Sequence, residues 1–173
     1  GQSWDRITTD LTTNDPEKRE QEQSGGVTVD NSAAEMYTTI YTISELPKDK
    51  HLIWVGTDDG NVQLTRDGGK TWNNVVANVP NRPPNSWVNW VQASNFDAGT
   101  AYAAFDRHTF GDFAPYLYRT TDYGQTWTPL ASPADAKGIR GYAHVIKEDL
   151  AQKNLRFLGT EFGPYVSSDG GEA

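Results

Sequence analysis

Apolar and polar residues alternate along this chain with a period of two, in short runs separated by turn residues, the pattern of half-buried β-strands. Residues 37–44, Tyr-Thr-Thr-Ile-Tyr-Thr-Ile-Ser, are rich in β-branched and aromatic side chains and predict a first strand. Runs at 51–57, 61–66 and 71–76 follow at hairpin spacing, so residues 37–77 form one four-stranded unit. The order recurs over 87–130, with strands expected at 87–93, 100–105, 116–120 and 126–130. It begins a third time at 142–147, 154–159 and 164–168 within 141–173. Residues 3–8 also alternate and are expected as the last strand of a preceding unit, assigned to 1–8. Between them and the first unit, 9–36 breaks the rhythm. Pro16-Glu17-Lys18-Arg19-Glu20-Gln21-Glu22-Gln23 then Ser24-Gly25-Gly26 has almost nothing to bury, and predicts a short solvated helical turn or an extended surface loop, with an insertion that overhangs a binding face as the functional alternative.

The units share a turn. Thr65-Arg66-Asp67-Gly68-Gly69-Lys70-Thr71-Trp72 returns as Thr120-Thr121-Asp122-Tyr123-Gly124-Gln125-Thr126-Trp127. A third copy opens at Ser167-Ser168-Asp169-Gly170-Gly171, and Gly1-Gln2-Ser3-Trp4 has the form of the last half of a fourth. The pattern Ser/Thr-x-Asp-x-Gly-x-Thr-Trp suits a tight hairpin. The Asp carboxylate accepts backbone N–H groups of its own turn, and Gly tolerates positive φ. Thr65, Asp67, Gly69, Thr71, Trp72, Thr120, Asp122, Gly124, Thr126, Trp127, Ser167, Asp169 and Gly171 are therefore read as structural, with Trp72 and Trp127 packing between units. The lone Asp of each turn lacks the several oxygen donors that calcium needs.

This pattern resembles the Asp-box, or BNR, repeat, which implies an all-β fold: a partial β-propeller of about three four-stranded antiparallel blades with Asp-box hairpins. Beyond the boxes, Asp10-Leu11-Thr12-Thr13-Asn14-Asp15, Trp54-Val55-Gly56-Thr57-Asp58-Asp59-Gly60 and Leu158-Gly159-Thr160-Glu161-Phe162-Gly163 are similar to bacterial secreted sortilin-like, glycosyl hydrolase-like propellers. The resemblance implies a periplasmic or extracellular location. It spans functions from sialidases and xyloglucan-cleaving enzymes to receptors and a photosystem assembly factor. Propellers close with about four to eight blades, so residues 1–173 are expected to be a fragment of one domain, its ring completed by further sequence or another chain.

Composition narrows the chemistry. With 36% hydrophobic and 12% aromatic residues the chain can build a core, and a formal charge of -8 opposes nucleic-acid backbones as partners. There is no cysteine, hence no disulfide and no thiolate ligand or nucleophile. No apolar run reaches the about 18–20 residues of a membrane span. His51, His108 and His144 have no metal-ligand spacing, and no metal or cofactor is expected.

Propeller topology sorts the loops. It places the insertion, Asp58, Asp59, Trp87, Arg107, His108, Asp112, Arg140, His144 and Glu161 on one face as candidates for binding a ligand or partner, and the Asp boxes on the other side. Trp87 and Trp90, three apart, are expected on opposite faces of their strand. For glycoside hydrolysis, which needs two carboxylates about 5–10 Å apart, the only pairs to nominate are Asp58 or Asp59 with Glu161 or Asp112. The arginine motif of sialidases has no counterpart: the nearest string, Asn81-Arg82-Pro83-Pro84, departs at its aromatic and aliphatic positions. No catalytic residue is assigned. The expected function is a non-catalytic module binding protein or polysaccharide, one version being an extrinsic subunit of a larger complex, with part of a secreted glycoside hydrolase as the alternative.

Overall fold

Three antiparallel sheets stack face to face in a computed structural model that describes residues 3–20 and 37–172. The first holds β1 (Ile40–Leu46), β2 (Asp49–Thr57), β3 (Val62–Thr65) and β4 (Asn73–Asn74) in that spatial order. The second holds β5 (Trp87–Ala93), β6 (Ala101–Arg107), β7 (Asp112–Thr120) and β8 (Thr128–Ala131), and the third β9 (Ala143–Glu148), β10 (Arg156–Thr160) and β11 (Gly163–Ser167). Each is a meander of the kind the alternation predicts. Fourth strands are shorter than expected, because the turn keeps Thr71-Trp72 and Thr126-Trp127 and pairing resumes only at Asn73 and Thr128.

The aspartate turns are alike in detail. Asp67 accepts the Thr71 amide (2.9 Å) and hydroxyl (2.7 Å) and the Thr65 hydroxyl (2.8 Å). Asp122 does the same with Thr126 (2.8 and 2.6 Å) and Thr120 (2.8 Å). These donors hold the Asp67 carboxyl down at about 2, Thr71 contributing most, and lower Asp122 in the same way. Each turn also docks on its own sheet, Gly68 N–H donating to His51 O, Tyr123 N–H to Gly99 O and Gly170 N–H to Asn154 O. That fixes the turns at the starting end of each second strand, away from the loops that follow it.

Sheets join through a further regularity. A Cβ on Gly124 would lie 2.8 Å from Val75 Cγ2, and one on Gly171 3.3 Å from Leu130 Cδ2. Gly69 meets Ile7 likewise, at 2.6 Å from its carbonyl oxygen. Ile7, Val75 and Leu130 each stand three residues after Trp4, Trp72 and Trp127. An apolar residue at Trp+3 thus seats over the turn glycine of the next sheet, and the missing side chain at that glycine is what lets the sheets close.

The place of residues 3–8 bears on this regularity. They form no strand among the described residues, since a strand needs a paired neighbour and none is present; Ile7 nonetheless occupies the place of Val75 and Leu130. The leading segment continues over the first sheet, where buried Leu11 accepts bonds from Asn61 and Gln63 through its carbonyl. A single 3-10 turn, Glu17–Arg19, follows, and the rest of the polar insertion from 21 to 36 lies outside the described residues.

Candidate binding face

The first strands β1, β5 and β9 are each an edge strand of their sheet and carry the same irregularity. In β1, Ile40 pairs with Thr57 and Thr42 with Gly56, so Tyr41 is an extra residue. In β5, Val88 pairs with Phe105 and Trp90 with Ala104, leaving Asn89; in β9, Ala143 pairs with Thr160 and Val145 with Gly159, leaving His144. Such β-bulges re-aim a side chain out of the pleat. Three equivalent bulges therefore present Tyr41, Asn89 and His144 at one end of the stack. The bulge also reverses the expectation for the tryptophans: Trp87 opposes Asp106 and Trp90 opposes Ala104, two paired steps apart, so they share a face.

Around the bulges runs a row of rings crossing all three sheets. Tyr41 lies 6.2 Å from Trp87, and Trp87 6.3 Å from His108. His108 stacks on Tyr142 at 4.9 Å, and Tyr142 meets His144 at 4.4 Å and Phe113 at 6.3 Å. Tyr41 and Phe113 are more than half exposed. Beneath the row Asp106 is buried and accepts the His108 amide at 2.8 Å, its other oxygen 2.6 Å from His108 Nδ1. Facing a carboxylate, Nδ1 is the donor of that hydrogen bond. Burial first, then Asp106 and Glu161, pushes the Tyr142 hydroxyl above its ordinary value.

The remaining candidates divide into those spent on structure and those left free. Asp58 is buried and accepts the Thr39 amide (2.8 Å) and hydroxyl (2.6 Å). Asp59 accepts the Thr13 amide and hydroxyl (2.6 and 2.7 Å) and the Thr57 hydroxyl, tying down the leading segment. Asp112 takes the Ala114 amide, the Tyr116 hydroxyl at 2.8 Å and Arg107 Nε at 3.5 Å. Arg107 also donates to Pro84 O and covers the Phe110 ring at 4.8 Å. Arg140 lies over Phe162 at 5.3 Å. Glu161 is exposed and has no side-chain hydrogen bond or ion pair among the described residues. It sits beside the row, since a Cβ on Gly141 would come 3.4 Å from Glu161 Cβ. Trp87, His108 and His144 thus come together, Glu161 and Arg140 flank them, Arg107 and Asp112 pair beside them, and Asp58 and Asp59 brace the loops.

Sequence reasoning did not single out Tyr41 or Asn89, and reached Asp106 and Tyr142 only as parts of loops on this face. An acidic residue stands at or just beyond the end of the second strand of each sheet, at Asp58, Asp106 and Glu161, but the interval to the aspartate turn differs in each, so the match shows only through the pairing. Among the described residues no three His, Asp or Glu side chains group as metal ligands, and no helix is long and apolar enough to cross a membrane.

No family model and no curated protein matches the chain. Solved β-propeller structures do. YCF48 bound to D1 peptide is 24% identical with a TM-score of 0.54, over 78% of this chain and 39% of that one. YCF48 from Cyanidioschyzon merolae gives 24% and 0.58, over 78% and 38%. The GH74 enzyme of Niastella koreensis gives 15% and 0.59, over 79% and 22%. The chain spans two fifths or less of the structures it matches here, and the likeness establishes the β-propeller fold.

Proposed function

We propose that this chain belongs to a non-catalytic Asp-box β-propeller that binds a protein through the loop face carrying Tyr41, Trp87, His108, Tyr142 and His144. The observation that carries the reading is the ring row itself, continuous across three sheets and flanked by carboxylates, of which Asp58, Asp59 and Asp112 are taken up by hydrogen bonds. Aromatic rings with polar edges are the side chains that anchor protein interfaces, because they bury much area for few rotors. That a similar solved structure, YCF48, holds a D1 peptide supports peptide binding as a use of the fold. The similarity to secreted sortilin-like propellers supports a periplasmic or extracellular setting, with the ring closed by further blades.

The alternative is glycoside hydrolysis, supported by the GH74 neighbours. It requires a second carboxylate free to pair with Glu161, and the nominated partners are engaged elsewhere. The test is an array of overlapping peptides probed with the full chain and its Trp87→Ala variant, beside a polysaccharide panel assayed for reducing ends. Binding of some peptides by the parent and loss in the variant is expected. Release of reducing ends, abolished by Glu161→Gln, would replace the binding reading with the hydrolytic one.

A further inference from the structure

The ring row is not chemically neutral. Tyr41 and Trp87 meet at 57° and Trp87 and His108 at 74°, so the three rings turn a corner, each tilted against the next, with Tyr41 more than half exposed at its end. Elsewhere on this protein several exposed or half-buried rings carry a basic group: Arg66 at 4.0 Å from Tyr123, Lys147 at 4.5 Å from Trp90, Arg107 over Phe110 and Arg140 over Phe162. No Lys or Arg among the described residues covers Tyr41 or Trp87.

The groups beside the corner seek a donor of positive charge. Asn89, at the middle bulge, is nine-tenths buried. Its Nδ2 donates to Ala143 O at 2.7 Å, which fixes the amide orientation and leaves Oδ1 as a buried acceptor with no partner. Glu161 adds an unpaired carboxylate and Asp106 a buried one under His108. Around the row, Asp58, Asp106, Asp112 and Glu161 outnumber Arg107 and Arg140, on a chain of net charge -8. A ring face, an amide oxygen and a carboxylate have one ligand in common: a cationic N–H donor.

We infer that the corner of Tyr41, Trp87 and His108, with Asn89 and Glu161, receives the ammonium or guanidinium of a Lys or Arg side chain on an extended peptide. The inference rests on the protein-binding reading and specifies its partner as a basic segment. Sugar hydroxyls would leave Glu161 and the ring faces without the charge they favour.

The experiment titrates the full chain at physiological ionic strength with fluorescently labelled hexalysine, hexaglutamine and hexaglutamate, following anisotropy. Hexalysine is expected to bind, and the other two more weakly by at least about tenfold. Tyr41→Leu and Trp87→Leu leave the net charge unchanged and so preserve diffuse attraction. Each is nevertheless expected to weaken hexalysine about three- to thirtyfold, the range of a single cation–π contact, with an unchanged melting midpoint. Glu161→Gln is expected to weaken hexalysine as well. Equal affinity for hexalysine and hexaglutamine, or hexalysine affinity untouched in both ring variants, overturns the inference while peptides bound on the array keep the wider reading alive. An empty array overturns the wider reading as well.

Discussion

The two junctions between sheets are built on different principles. Between the first and second, the contact is aromatic and aliphatic: Trp54 and Trp127 meet edge to face at 5.9 Å inside a cluster with Leu46, Leu52, Val91 and Phe105. Gly56 lets Val88 approach so closely that a Cβ there would fall 2.5 Å from its Cγ1. Both indole N–H groups are buried without a partner, so this junction is held by packing despite a polar cost. Between the second and third, a buried ionic knot does much of the joining. Glu148 accepts the Ser94 hydroxyl (2.8 Å), the Asn95 amide (2.7 Å) and the Tyr102 hydroxyl (3.0 Å), with Arg156 at 3.6 Å. Arg156 donates in turn to Tyr102 through Nε and Nη2 at 2.9 and 2.5 Å. Beside the knot, Leu117, Leu130, Ile146, Leu158 and Tyr165 line an apolar cleft of about 120 Å³. One junction is tightly packed, whereas the other is polar and incompletely filled. The first resists anything that keeps its volume, and the second depends on every member of a network being present.

The largest effect is expected at the packed junction. Trp127→Ala should cost about 3–5 kcal/mol, and Trp127→Phe much less, because the indole N–H it removes has no partner. Chemical denaturation of the two variants checks this. A Phe variant as damaged as the Ala variant would break the contrast, since packing alone would not then describe the junction.

At the ionic knot, Glu148→Gln or Arg156→Met alone should cost about 3 kcal/mol by stranding a buried charge. The double variant Glu148→Leu/Arg156→Met should recover a large part of that loss, as apolar pairs of similar volume often do. A double-mutant cycle measures the coupling, and strictly additive losses would show that the two groups do not act as one unit.

The smallest effect separates the regions by pH. Burial first, opposed by Arg156, raises the Tyr102 hydroxyl to about 12. A group raised in the folded state contributes stability that is complete below its unfolded value near 10 and is lost as pH rises to about 12. The knot should therefore loosen in alkali, and Tyr102→Phe should flatten that limb of the melting curve. The aspartate turns respond oppositely. Asp67 is lowered from 3.8 to about 2, so its contribution is complete above about pH 4 and fades as pH falls towards 2. Melting midpoints against pH for Tyr102→Phe and Asp67→Asn should each lose slope on one side only.

What the sequence determined by itself is local. The period of two, the turn residues and the recurrence of Asp67, Asp122 and Asp169 fix the hairpins and their order, because alternation and Asp-Gly turns act over a few residues. The apolar residues three after Trp4, Trp72 and Trp127 can be read in the chain, though their purpose depends on a glycine in the following sheet. Tertiary structure alone decided the rest. A bulge leaves no mark in composition, since one residue of extra length is absorbed by any side chain, and so Tyr41, Asn89 and His144 became equivalent only once the strands were paired. Likewise, whether a carboxylate braces a loop, as Asp58 does, supports a histidine, as Asp106 does, or faces solvent unpaired, as Glu161 does, depends on which donors distant segments deliver to it.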